Sequence, residues 1–133
     1  MTKQEWSALS NEELAKQFQE ISVEQFEAEL ESDIRRIVLF ARQVIAIGDV
    51  LEERGAAALR TLLPLLDHQN AQVRLNAAVK LKLVERERAT ATLKALAERG
   101  PSAQRGAAGM SLYYDEKGIS KASQIWAKAI PQD

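Results

Sequence analysis

Apolar residues recur at helical spacing along the whole chain. Leu14, Phe18 and Ile21 mark one face at steps of four and three. Ahead of them, Ser10 and Glu13 form a capping box, in which each side chain satisfies a backbone N–H at the helix start. The register slips after Ile21 and resumes as Val23, Phe26 and Leu30. Ser22 and Gln25 offer a second cap there, so the pattern predicts a kink or two short helices. From about 33 to 54, Ile34, Ile37, Val38, Ala41, Val44, Ile45 and Leu51 form a broad stripe that Gly55 closes. Leu59, Leu62, Leu63 and Leu66 predict a third helix over about 56–66, bent by Pro64, which removes one backbone bond. Asp67-His68-Gln69-Asn70 reads as a turn, with Asn70 capping a helix over about 71–84. Another helix covers about 86–98 until Gly100-Pro101 stops it. Ser102 caps the next, which runs to about Glu116 and ends at Gly118. Ser120 predicts a last short helix with Ile125, Trp126 and Ile130, ended by Pro131. No stretch alternates apolar and polar over strand length, and no Asn-Gly or Asp-Gly hairpin signal occurs.

Six to seven helices on short loops imply antiparallel neighbours in an all-α bundle or a small helical solenoid. The 133 residues suit a single domain over 1–133. Residues 1–10 are expected to be a flexible lead-in, and 120–133 a short C-terminal helix and tail.

Residues 59–84, LRTLLPLLDHQNAQVRLNAAVKLKLV, resemble a HEAT repeat. Pro64 bends the first helix, Asp67 starts the turn, and Val73, Arg74, Ala77, Ala78 and Leu81 follow on the second. Small Ala77 and Ala78 let helices approach closely, and Asp67 and Arg74 can pair across the turn or with adjacent repeats. A degenerate second unit, TLKALAERGPSAQRGAAGMSL, carries Leu93, Leu96, Pro101, Ala107, Ala108 and Leu112. Within it, Gly106 and Gly109 each cost about 1 kcal/mol relative to Ala in a helix interior. That cost predicts another backbone packed close to their face. The order LSNEELAKQFQEI, LEERG, LLPLLDHQNAQVRLNAA, GAAGMSLYYDEKGI over roughly 9–119 is similar to a family of small bacterial proteins. That family is catalogued as a domain of unknown function, numbered twenty-nineteen. The resemblance implies a compact HEAT-like α-fold and implies no activity.

Composition narrows the chemistry. The chain has no Cys and one His, His68. Thiolate metal sites, cysteine nucleophiles and mechanisms that need two imidazoles are therefore excluded. His68 sits in a turn, without a Ser and an acid at motif spacing, and reads as a surface histidine. Gly106-x-x-Gly109 follows no strand and lacks the Lys of a phosphate loop. No metal, cofactor, small-molecule substrate or enzymatic activity is expected. No apolar run reaches membrane-spanning length, and MTKQEWSALSNEEL has no apolar core of signal-peptide length. The expected compartment is the cytoplasm.

Charge changes the picture most. Lys and Arg number 18 against 19 acids, a net −1. Residues 1–33 nevertheless hold two lysines against nine acids, a net −7, which leaves +6 on the rest. Glu20, Glu24, Glu27 and Glu31 recur at steps of four, three and four, so they share one helix face, with Glu29 and Asp33 nearby. Such a face is a solvated surface or a docking surface for a basic partner. The expected function is non-enzymatic protein binding through Glu20, Glu24, Glu27, Glu31 and Asp33. Its most specific form is a bacterial immunity protein that neutralises a basic toxin domain. The alternatives are a general interaction scaffold, or nucleic-acid binding through Arg60, Arg74, Lys80, Lys82, Arg86, Arg88, Lys94, Arg99 and Arg105. That basic segment contains no aromatic residue for base stacking.

Overall fold

A computed structural model describes residues 1–118. The described chain is all-helical: α1 (Lys3–Trp6), α2 (Asn11–Leu30), α3 (Ile34–Arg54), α4 (Ala56–Leu59), a 3₁₀ segment (Arg60–Asp67), α5 (Ala71–Leu81), α6 (Arg86–Arg99) and α7 (Ser102–Glu116). The expected helix with Ile125, Trp126 and Ile130 lies outside the described residues.

The capping box at Ser10 forms, with Glu13 N–H donating to Ser10 Oγ at 3.1 Å and Ser10 N–H to Glu13 Oε1 at 3.2 Å. The expected break after Ile21 does not occur, and α2 is continuous for 20 residues. Ser22 does not cap, because its hydroxyl donates back to the Phe18 carbonyl at 2.7 Å inside the helix. The lead-in expected to be flexible carries α1 instead, started by a capping box between Thr2 and Glu5. It is pinned by Trp6, which is 2% exposed.

Asp33 caps α3 through its side chain and the Arg36 N–H at 3.3 Å. Gly55 ends α3 at φ 109°, a backbone conformation that side chains other than hydrogen strain. Pro64 does more than bend one helix: after α4 the chain tightens into the 3₁₀ segment. Asn70 caps α5 by accepting from the Gln72 and Val73 N–H groups. Ser102 is the first residue of α7 rather than its cap; Pro101 holds the cap position without a side-chain bond.

α5 is the hub. It packs on α2, the 3₁₀ segment, α6 and α7, and seven of its eleven residues are buried. Ala77 and Ala78 have no exposed surface, so α5 sits close to its neighbours. One hydrophobic core runs from Trp6, Leu14 and Phe18 through Ile47 and Leu51 to Leu62, Leu81, Leu93 and Ala108. The close approach expected at Gly106 and Gly109 is not found among the described residues. A Cβ built at either meets nothing within 4 Å among the described residues.

Candidate functional site

The acidic residues of α2 and its following turn separate into two groups. Glu20, Glu24 and Glu27 are exposed, and none has an ion-pair partner among the described residues. Glu31 and Asp33 serve the turn into α3. Arg36 Nη1 lies 2.9 Å from Glu31 and 4.0 Å from Asp33, and Asp33 also caps α3. The exposed stripe is therefore three carboxylates long, with a half-neutralised end.

With about 3.6 residues per turn, the opposite side of α2 presents Phe18, Gln25 and Glu29. These residues lie at the base of a groove that the hydrophobic pattern did not reveal. Ile37, Val38, Ala41 and Ile45 of α3 form one wall; Leu75 and Val79 of α5 and Ala103 and Ala107 of α7 form the other. The groove holds about 360 Å³. The first half of the broad apolar stripe on α3 is only partly covered. Ile34 is exposed, and Ile37, Val38, Ala41 and Ile45 are half-buried.

Under the groove runs a chain of side-chain hydrogen bonds. Gln104 Nε2 donates to Gln72 Oε1 at 2.8 Å, and Gln72 Nε2 to Asn76 Oδ1 at 2.9 Å. Asn76 Nδ2 donates to Ser22 Oγ and to Gln25 Oε1, both at 2.9 Å. Every link donates in the same direction, so the bonds polarise one another. Spacing alone could not expose this network, because its members come from α2, α5 and α7.

Four of the nine basic residues between 60 and 105 are held by contacts within the bundle, while Arg86, Arg88, Lys94, Arg99 and Arg105 are exposed and have no ion pair among the described residues. Arg60 meets Glu85 at 3.1 Å, Lys80 meets Asp49 and Glu52 at 2.8 and 2.6 Å, and Lys82 meets Asp115 at 2.9 Å. Arg74 donates to the carbonyls of His68 and Gln69 instead of pairing with Asp67. His68 accepts the Asn70 N–H through Nδ1 at 3.0 Å, a local turn contact. Among the described residues, no group of three or more His, Cys, Asp or Glu side chains is placed to hold a metal ion. No described helix is long and apolar enough to cross a membrane.

Among the described residues, three titrations are displaced, all at exposed groups near the N-terminus. Backbone hydrogen bonds from Thr2 and Ser10 hold the carboxyls of Glu5 and Glu13 below their ordinary value. A hydrogen bond to Glu53 raises Lys3. None of the three lines the groove.

The solved structure "Crystal Structure of the Protein RPA1889 from Rhodopseudomonas palustris CGA009" is similar to this chain. It is 31% identical, with a TM-score of 0.78, over 84% of this chain and 93% of that one. No curated protein matches. The family described as Domain of unknown function (DUF2019) matches residues 12–114, a span that takes in both faces of α2 and the groove walls. The chain belongs to that family.

Proposed function

We propose that the protein is a non-enzymatic binding module whose acidic α2 face docks a basic surface on another protein. The observation that carries this reading is the exposed stripe of Glu20, Glu24 and Glu27, which has no counter-ion among the described residues. An unneutralised stripe of one sign steers a complementary partner into encounter and selects against like-charged ones. In its most specific form, the partner is a toxin domain with a basic active site and the protein is its cytoplasmic immunity factor. A HEAT-like reading of residues 59–84 belongs to the same proposal. The 3₁₀ turn at Pro64, the Asn70 cap and the buried Ala77 and Ala78 support it. Nucleic-acid binding has less behind it: Arg60, Arg74, Lys80 and Lys82 are spent on contacts within the bundle, and the exposed Arg86, Arg88, Lys94, Arg99 and Arg105 lie in a segment with no aromatic residue for base stacking.

The test is affinity capture with the full chain, followed by association kinetics with the captured protein. The triple variant Glu20→Lys, Glu24→Lys, Glu27→Lys should associate at least tenfold more slowly at low salt. A folded triple variant with unchanged kinetics rejects the acidic face. Capture of nucleic acid that persists in the variant would favour the basic segment instead.

A further inference from the structure

We propose that the apolar groove between α3, α5 and α7 is a docking site for a basic amphipathic helix of a partner protein. The groove lies on the side of α2 away from Glu20, Glu24 and Glu27, so it is a second surface and stands independently of the outer α2 face. Its walls have the form that a helix fills. Val38, Ala41 and Ile45 follow at steps of three and four on α3, and Ala103 and Ala107 at a step of four on α7. Rows at these spacings are the ridges that one helix offers another, and small side chains in them let the axes come close. Gln72 bonds Gln104 near the start of α5, and Lys82 bonds Ser111 just past its end, so α5 and α7 run in the same direction along the groove. From Ile37 to Asp49, α3 walls it for about 18 Å, roughly three turns of a helix. Ile34, 68% exposed, extends the α3 row one turn further. An apolar face of this kind lowers its free energy when a second apolar face covers it.

Charge selects the occupant. Glu29 stands at one end of the groove, beside the α2–α3 turn. It is half-buried and has neither a hydrogen bond nor an ion pair among the described residues. At the other end, Lys80 is shared by Asp49 and Glu52 at 2.8 and 2.6 Å, two carboxylates on one ammonium. Both ends are therefore negative in excess. Between them, Gln104, Gln72, Asn76 and Gln25 are tied to one another beneath the groove, and the walls are apolar. The complement is a helix with one apolar row flanked by Lys or Arg, laid into the groove through anchors at i, i+4 and i+7.

The chain has no native cysteine, so a single thiol can report on the groove. In the full chain, Val38→Cys is titrated with a synthetic helix of about three turns that carries Leu at i, i+4 and i+7 and Lys on the flanks. The same peptide with Glu in place of Lys is the comparator. At saturation the Lys peptide should slow modification of the thiol at least tenfold, and it should bind at least tenfold more tightly than the Glu peptide. Glu29→Lys, with its helix content unchanged by circular dichroism, should cut that preference at least threefold. Protection should persist when Glu20→Lys, Glu24→Lys and Glu27→Lys are added. Loss of protection in that background would return the peptide to the outer face of α2 and overturn the proposal. A thiol already unreactive in the free chain at every concentration would show that the chain fills its own groove. A thiol that turns unreactive as the protein is concentrated would assign the groove to a second copy. Either result overturns the proposal, as does equal binding of the two peptides or binding of neither.

Discussion

Asn76 of α5 donates its side-chain N–H to Gln25 Oε1 of α2 at 2.9 Å, across 51 positions of sequence. The same nitrogen serves Ser22, and Asn76 Oδ1 accepts from Gln72. One side chain therefore links the first long helix to the hub helix. Asn76→Leu strands the Gln72 donor and removes the only donor that the Gln25 carbonyl has among the described residues. An unsatisfied buried polar group costs about 1–3 kcal/mol. Urea unfolding of Asn76→Leu should show a lower midpoint at unchanged slope. An unaltered midpoint would mean that the network contributes nothing to stability.

Lys82 joins the end of α5 to α7 through Ser111 Oγ at 2.8 Å and both Asp115 oxygens at 2.9 and 3.1 Å. Its side chain is 12% exposed and that of Asp115 22%, so water screens this pair less than an ordinary surface pair. Lys82→Met leaves a partly buried carboxylate alone and should cost about 1–2 kcal/mol. The double variant Lys82→Met, Asp115→Leu should recover part of that loss. A double-mutant cycle with no coupling between the two sites contradicts the assignment.

Gly106 and Gly109 sit within α7, and a Cβ at either would meet nothing within 4 Å among the described residues. Gly106→Ala and Gly109→Ala should each stabilise the fold by up to about 1 kcal/mol, since Ala restricts the unfolded chain and favours the helix. Thermal unfolding checks this, with each substitution raising Tm. A fall in Tm would bring back the close backbone contact that their mid-helix placement predicts.

Ser10 and Glu13 give the acid limb a defined sign. The Ser10 N–H depresses the Glu13 carboxyl from its ordinary value of 4.5. The stabilisation is therefore complete above that value and fades as pH falls through the lowered one. The stability gap between the native chain and Glu13→Gln should be widest near neutral pH. It should narrow steadily below about pH 4.5. A gap independent of pH would show that the carboxylate charge plays no part in the cap.

Much of the architecture is written in local pattern. Ser10 with Glu13, Asp33, Gly55 and Asn70 mark helix ends because caps are decided within four residues of chain. The acidic stripe is legible for the same reason, since helix periodicity alone places Glu20, Glu24 and Glu27 together. What pattern missed depends on distant partners. Ser22 looks like a cap until its hydroxyl is seen turned back to Phe18. Ile37, Val38, Ala41 and Ile45 stand out as an apolar stripe, but periodicity does not show whether anything covers them, and they are half-buried. Net charge by segment misled in a similar way. Residues 60–105 hold nine basic residues against Asp67, Glu85, Glu87 and Glu98, a net +5, and Asp49, Glu52 and Asp115 offset three of those charges from outside the segment by meeting Lys80 and Lys82.

The central claim is that the outer face of α2 is where a basic protein docks. Stopped-flow association of the captured partner, measured over a range of salt with the native chain and with Glu20→Lys, Glu24→Lys, Glu27→Lys, tests it most directly. The account predicts a rate for the native chain that falls steeply with salt, and a folded variant at least tenfold slower at low salt with the salt dependence flattened or reversed. Identical rates and salt dependence for the two proteins would contradict it.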